Sequence, residues 1–104
     1  MLIQVAFFYF CKVQNLKSYQ ITIIGKVQNV GFRYHTHEKA IQLNIKGFVM
    51  NKANGNVYVE AEGNDESLQE FIKWCNRGPN WAHVNELILI EQPICNYKNF
   101  EIKR

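Results

Sequence analysis

The sequence predicts an α/β sandwich of the α+β class, in which two helices lie on one face of a mainly antiparallel sheet. Stretches in which apolar and polar residues alternate with period 2 indicate strands, and two stretches between them have the helical period instead. The chain has 104 residues, of which 47% are hydrophobic and 20% charged. This composition suits one domain with a two-layer core and excludes a disordered or repetitive chain.

The first predicted strand covers residues 19–27, where every second residue is apolar over most of its length: Tyr19, Ile21, Ile23 and Val27. The period then changes, and residues 32–43 place one apolar arc on a helix: Phe32, Thr36, Ala40 and Leu43. We expect Asn44 to end this helix in the left-handed conformation, which asparagine tolerates better than most residues.

A β-hairpin follows, with strands at residues 45–51 and 57–62. Its turn contains Asn54 and Gly55, which we expect to supply the two positive φ angles of a tight hairpin. The second helix begins after its predicted cap, Asn64, and ends before Gly78. Its apolar stripe consists of Leu68, Phe71, Ile72 and Cys75.

The last two predicted strands are residues 84–91 and 99–103. The resulting order is β-α-β-β-α-β with an additional C-terminal strand. Right-handed crossovers applied to this order place both helices on one face, which gives a ferredoxin-like fold.

Residues 1–17 precede this pattern as an apolar leader, so we take 18–104 as the domain. The apolar run is shorter than the ~20 residues that a membrane span needs. It also lacks the preceding basic segment of a secretory signal, because Lys12 follows it. The remaining interpretations are a non-native leader and an extra edge strand.

The three cysteines, Cys11, Cys75 and Cys95, have neither disulfide-framework nor zinc-ligand spacing. They favour a reducing compartment, and we expect a cytoplasmic protein without membrane association. The net charge of +3 is too small to indicate a nucleic-acid partner by itself. Of the 12 basic residues, however, six lysines and Arg33 lie before residue 60, where Glu38 is the only acid. The first half is therefore where an anion would be attracted.

The segment between the first strand and the first helix is the candidate site. It reads Gly-Lys-Val-Gln-Asn-Val-Gly-Phe-Arg and ends at Arg33. A turn that opens a helix exposes backbone N–H groups without intrahelical partners, which favours an anion there. The guanidinium group of Arg33 can bind a phosphate or carboxylate with two hydrogen bonds. Taken alone, an arginine in such a loop is more often structural.

Several segments together resemble the acylphosphatase family, over roughly residues 18–104. They are GKVQNVGFR at 25–33, GFVMN at 47–51, ANGNV at 53–57, LQEFIKWCNRGP at 68–79 and the closing Phe100. The resemblance implies hydrolysis of mixed carboxylic-phosphoric anhydrides to a carboxylate and inorganic phosphate, without a metal or another cofactor. The implied partner is a small-molecule acyl phosphate, and we expect a monomer.

The resemblance also implies which residues act. Arg33 and the backbone N–H groups of the loop would bind the phosphoryl group, and Asn51 would position the attacking water. The loop amides belong to Gln28, Asn29, Val30, Gly31 and Phe32. At positions 29 and 44 this chain has asparagine where the family commonly has glycine, and asparagine is the substitution that a positive φ permits.

Two other classes of function stay open at this point. RNA-recognition modules share the β-α-β-β-α-β order, and residues 46–49 faintly resemble their aromatic motif, although they lie on the second strand rather than the third. A binding domain without turnover could share the fold, but it would not need both Arg33 and Asn51. His35 and His37 lie about 200° apart around a helix and therefore do not form a metal-binding pair.

Overall fold

The structure, a computed structural model, describes residues 15–104. Residues 1–14 lie outside the described part, and with them most of the predicted leader 1–17 and Cys11. The elements in chain order are β1 (Leu16–Lys26), α1 (Phe32–Gln42), β2 (Lys46–Asn51), β3 (Val57–Asn64), α2 (Asp65–Arg77), β4 (His83–Gln92) and β5 (Phe100–Lys103).

The five strands form one sheet in the order β4-β1-β3-β2-β5. Strand β1 is antiparallel to both β3 and β4, and β2 is antiparallel to β3. Only the pairing of β2 with β5 is parallel among these contacts. The predicted ferredoxin-like arrangement and its additional C-terminal strand are confirmed.

The core lies between the sheet and the two helices. It contains the predicted inward side chains of β1, the arc of α1 and the stripe of α2. Phe32 and Phe71 are the largest fully buried side chains, and Phe32 packs edge-on against Trp74 with 5.7 Å between ring centroids. Because Phe32 directly precedes Arg33, this packing fixes the first turn of α1 beside the candidate site.

The helix ends agree with the sequence analysis. Helix α1 ends before Asn44, whose φ of 57° is left-handed as predicted. Helix α2 is capped by Asn64, whose Oδ1 accepts a hydrogen bond from the Glu66 N–H at 2.9 Å. Two acidic residues, Asp65 and Glu66, occupy its first turn, where the helix dipole favours negative charge.

Three expectations need correction. The hairpin turn has a positive φ at Gly55 but not at Asn54, because the Asn54 side chain instead accepts a hydrogen bond from the Asn56 N–H. A tryptophan just after a helix is expected to pack against the protein, but Trp81, which follows α2, is 82% exposed. The first strand begins at Leu16, three residues before the predicted strand start at 19, because Leu16 and Lys17 pair with β3.

The chain crosses from one edge of the sheet to the other through residues 93–99, which we call the crossing segment. The buried carboxylate of Glu62 accepts hydrogen bonds from the Cys95 N–H at 2.7 Å and the Tyr97 N–H at 3.1 Å. Glu60 accepts hydrogen bonds from the side chains of Gln92 and Tyr97. These bonds hold the crossing segment on the sheet face opposite the helices, so that β5 reaches β2.

Candidate active site

The C-terminal ends of three strands, β1, β2 and β5, lie at the same end of the sheet. Since β1 and β2 are both antiparallel to β3, they run in the same direction, and β5 runs parallel to β2. The last residues of these strands are Lys26, Asn51 and Lys103. The topology therefore brings the loop after β1, the half-buried Asn51 and the residues around Lys103 to the same place.

The loop between β1 and α1 has a conformation that opens its backbone. Asn29 has a φ of 63°, as the asparagine at this position predicted, and Gly31 has a φ of 77°. The N–H groups of residues 28–32 donate no hydrogen bond to any other group within residues 15–104. These donors are available to a bound anion.

The side chain of Gln28 ties the loop to the β2–β3 hairpin. Its Nε2 donates to the Lys52 carbonyl at 2.7 Å and to the Asn56 carbonyl at 2.9 Å. Because Lys52 directly follows Asn51, these two bonds set the loop and Asn51 relative to each other. The sequence analysis assigned Gln28 only a backbone role and did not identify this contact.

A cavity of about 280 Å³ lies at this end of the sheet. Of the predicted residues it brings together Asn29, Gly31, Phe32, Arg33 and Asn51, and its other lining residues are Val27, Tyr34, Ile102 and Arg104. Two predicted loop residues do not line it. Gln28 points to the hairpin, and Val30 lines a neighbouring cavity beside Trp74.

The charge of Arg33 is not neutralised within the described part of the chain. Its Nη1 donates to the Lys103 carbonyl at 3.4 Å, and no carboxylate there forms an ion pair with it. None of the Asp and Glu residues in the described part of the chain lines the cavity. The cavity is thus a positively charged site with free N–H donors, and its chemistry suits an anion such as a phosphoryl group.

Within residues 15–104, no group of three or more His, Cys, Asp or Glu side chains is placed to hold a metal ion. The two histidines of α1 have separate surroundings, since His35 lies 3.9 Å from Glu38 and His37 lies against the ring of Phe100. None of the helices described here is long and apolar enough to cross a membrane.

Comparison with known proteins decides the family. A family model described as Acylphosphatase matches residues 19–102. The chain belongs to the acylphosphatase family. A curated acylphosphatase from Vibrio vulnificus is 42% identical over 83 residues, which is 80% of this chain and 92% of that protein. One from Ligilactobacillus salivarius is 40% identical over 88 residues, which is 84% of this chain and 98% of that protein.

A solved acylphosphatase structure supports the same conclusion. The structure of an acylphosphatase from Coxiella burnetii superimposes with a TM-score of 0.84 at 32% identity, covering 88% of this chain and 97% of that one. The acylphosphatase fold predicted from the motifs is confirmed. Membership makes this chain an enzyme of acyl phosphate hydrolysis, and the rival interpretations of the fold as an RNA-recognition or non-catalytic module lose their support.

Four residues of the acylphosphatase cavity were not predicted as site residues. Val27 was predicted only as an inward residue of the first strand. Tyr34 follows Arg33 directly, but its position on the helix surface gave it no reason to be singled out. Ile102 and Arg104 come from the last strand and the residue after it. In the sequence, only the additional C-terminal strand could have pointed to these two residues. Its position beside β2 depends on tertiary pairing, which the sequence pattern does not specify.

Proposed function

We propose that this chain hydrolyses acyl phosphates with Arg33 and the loop N–H groups holding the phosphoryl group and Asn51 positioning the attacking water. The observation that carries the proposal is the convergence of Arg33, Asn51 and the loop on one cavity. Among the described residues, the loop N–H groups have no partner and no acidic side chain lines the cavity. These are the groups that an anionic substrate needs, and they face it from different elements.

The phosphoryl group would lie against the first turn of α1. Its peripheral oxygens accept hydrogen bonds from the guanidinium group of Arg33 and from the N–H groups of the loop. Phosphoryl transfer passes through a loose transition state whose charge is spread over three equatorial oxygens, so preorganised donors of this kind lower its free energy. The Lys103 carbonyl and the packing of Phe32 hold Arg33 in place before substrate binds.

Asn51 would act on the nucleophile. An amide does not accept a proton near pH 7, but its carbonyl oxygen and NH2 group can orient a water molecule for in-line attack. The Gln28 contacts to the hairpin fix Asn51 relative to the loop that holds the phosphorus atom. Positioning rather than proton abstraction is the contribution we assign to this residue.

The bond changes need no general acid. The water oxygen forms a bond to phosphorus while the bond from phosphorus to the acyl oxygen breaks, and its electron pair leaves with the carboxylate. A carboxylate is a stable anion at neutral pH, so the leaving group needs no proton. The water loses its proton to solvent or to the phosphate product, and inorganic phosphate remains.

We propose further that the enzyme acts as a cytoplasmic monomer without a metal and without a nucleic-acid partner. Within the described part, Cys75 and Cys95 are free thiols, as a reducing compartment favours. The sheet face that RNA-recognition modules present to bases carries Glu60 and Glu62 here and is crossed by residues 93–99.

The test is hydrolysis of benzoyl phosphate with excess chelator, by wild type and by Arg33→Lys. We expect turnover that chelation does not reduce. Arg33→Lys keeps the charge but loses the bidentate hydrogen bonding of the guanidinium group, so we expect kcat/KM to fall by about two to three orders of magnitude. Arg77→Lys is the matched control, because Arg77 lies at the end of α2 and does not line this cavity. Full activity of Arg33→Lys would contradict the assigned role of the guanidinium group.

A further inference from the structure

The cavity is lined by a second arginine that the reaction does not use. Arg104 follows β5 and lines the cavity with Arg33, which belongs to α1. Within residues 15–104 the Arg104 side chain forms neither an ion pair nor a hydrogen bond. Two arginines without an ion-pair partner among the described residues therefore line the same cavity.

Side chains alternate along β5 and into the residue after it, so Lys103 and Arg104 lie on different sides of the sheet. The Lys103 ammonium group lies 4.0 Å from the ring centroid of Phe48, on the sheet face that the crossing segment covers. Ile102 and Arg104 have the opposite parity and line the cavity. Arg104 is thus the basic side chain of this strand end that a substrate can meet.

One phosphoryl group has enough partners without Arg104. Arg33 supplies a bidentate donor, and five loop N–H groups have no partner among residues 15–104. A second, exposed arginine lines a cavity to which the described residues contribute no Asp or Glu, and this leaves a place for another anion. Tyr34, which is 58% exposed, lines the same cavity and offers an aromatic surface between cavity and solvent.

We propose that Arg104 binds a second anionic group on the acyl portion of the substrate, so that the enzyme favours acyl phosphates whose acyl group itself carries a carboxylate or phosphate. This inference rests on the proposed function, because it assumes that Arg33 and the loop hold the phosphoryl end. Arg104 then determines specificity for the acyl end, and Tyr34 contacts the carbon skeleton between the two anions.

The experiment compares two matched substrates, benzoyl phosphate and 4-carboxybenzoyl phosphate. The rigid ring keeps the added carboxylate from attacking the anhydride. We expect wild type to show a kcat/KM about three- to fivefold higher for the carboxylated substrate, the range of an exposed ion pair, through a lower KM. The preference should decline as the ionic strength is raised to about 1 M, since salt screens exposed charges.

Arg104→Gln tests the residue, and Arg77→Gln removes the same charge from a position outside the cavity as the control. We expect the substrate preference to fall to about one in Arg104→Gln and to persist in Arg77→Gln. Absence of a preference in wild type would overturn the proposal. The proposal would also be overturned if Arg104→Gln lowered kcat/KM equally for both substrates and so retained the preference for the carboxylated one. Arg104 would then serve the phosphoryl group.

A binding measurement separates this inference from the proposed function. The dissociation constants of benzylphosphonate and 4-carboxybenzylphosphonate can be measured by calorimetry whether or not the enzyme turns over. The second anion site is supported if wild type binds the carboxylated phosphonate more tightly and Arg104→Gln binds both phosphonates equally. This result would stand even if benzoyl phosphate is not hydrolysed. Equal binding of the two phosphonates by wild type contradicts it.

Discussion

At the scale of single residues, Thr36 is a polar side chain that the fold buries in an apolar core. Its side chain is fully buried on the inward arc of α1, and its Oγ1 has no hydrogen-bond partner within the described part of the chain. A buried hydroxyl without a partner loses its hydration and gains nothing in return. Thr36 lies one turn after Phe32 and so belongs to the core beneath the candidate site.

We therefore expect Thr36→Val to raise the free energy of unfolding by about 1 kcal/mol, because valine keeps the shape and removes the unpartnered hydroxyl. Urea denaturation monitored by fluorescence measures the change. Thr36→Ser is the matched control: it keeps the hydroxyl, removes the methyl group and should lower stability by a similar amount. A loss of stability in Thr36→Val would show that Oγ1 has a partner, such as an internal water.

Residues also show what a sequence can and cannot reveal. The period of the side chains identified the buried positions of β1, α1 and α2, because burial on one face imposes that period. Trp81 was misjudged because nothing local tells whether the neighbouring elements reach it. Gln28 and Arg104 contact or line parts of the molecule distant in sequence, and only the tertiary arrangement brings those parts together.

At the scale of elements, the crossing segment decides where β5 lies, and Glu60 is central to it. Burial raises the pKa of Glu60, but hydrogen bonds from Tyr58, Tyr97 and Gln92, with the charge of Lys103, outweigh burial and leave the pKa below its ordinary value. A carboxylate whose pKa is lowered on folding stabilises the fold when ionised. Its contribution is complete above the ordinary pKa and is lost as the pH falls through the lowered one.

We expect Glu60→Gln to lower the thermal midpoint at pH 7 by several degrees. The difference from wild type should shrink below pH ~4, where the carboxyl group of the wild type becomes protonated and resembles the amide. Midpoints recorded by circular dichroism between pH 7 and 3 test this. Glu91→Gln, at an exposed position on β4, is the control for the loss of one charge. A difference that stays constant down to pH 3 would contradict the role of ionised Glu60.

The hairpin is the element whose local geometry the sequence left undetermined. An Asn-Gly pair is compatible with two positive φ angles. Here the Asn54 side chain accepts a hydrogen bond from the Asn56 N–H, and only Gly55 of the pair has a positive φ. The hairpin's existence followed from its flanking alternation, whereas its turn type depended on a competition between side-chain and backbone hydrogen bonds. The strand boundaries were nevertheless predicted to within a few residues.

At the scale of the whole molecule, the described residues 15–104 form a five-stranded sheet, two helices and a cavity with nine lining residues among them. The family match begins at residue 19. The predicted domain start at 18 would remove Leu16 and Lys17 from β1, where they pair with Asn64 and Gly63. A truncation should therefore retain Asn15 and the residues after it.

We expect deletion of residues 1–14 to leave kcat and KM for benzoyl phosphate within about twofold and the thermal midpoint within about 4 °C, which corresponds to less than ~1 kcal/mol. We also expect the truncated protein to be at least as soluble, because the deleted segment is rich in apolar residues. Deletion of residues 1–17 is the comparison, and it should destabilise by shortening β1. A larger drop in the midpoint after removal of 1–14 would show that this segment belongs to the core.

The most direct test of the mechanism separates binding from turnover in Asn51→Ala. If Asn51 positions water while Arg33 and the loop bind the phosphoryl group, kcat should fall by about two orders of magnitude or more. The inhibition constant of inorganic phosphate should stay within about twofold. Asn51→Asp should also lose activity, because a carboxylate would repel the phosphoryl anion. Equal weakening of phosphate binding and turnover in Asn51→Ala, or an Asn51→Asp variant more active than wild type, would contradict the account.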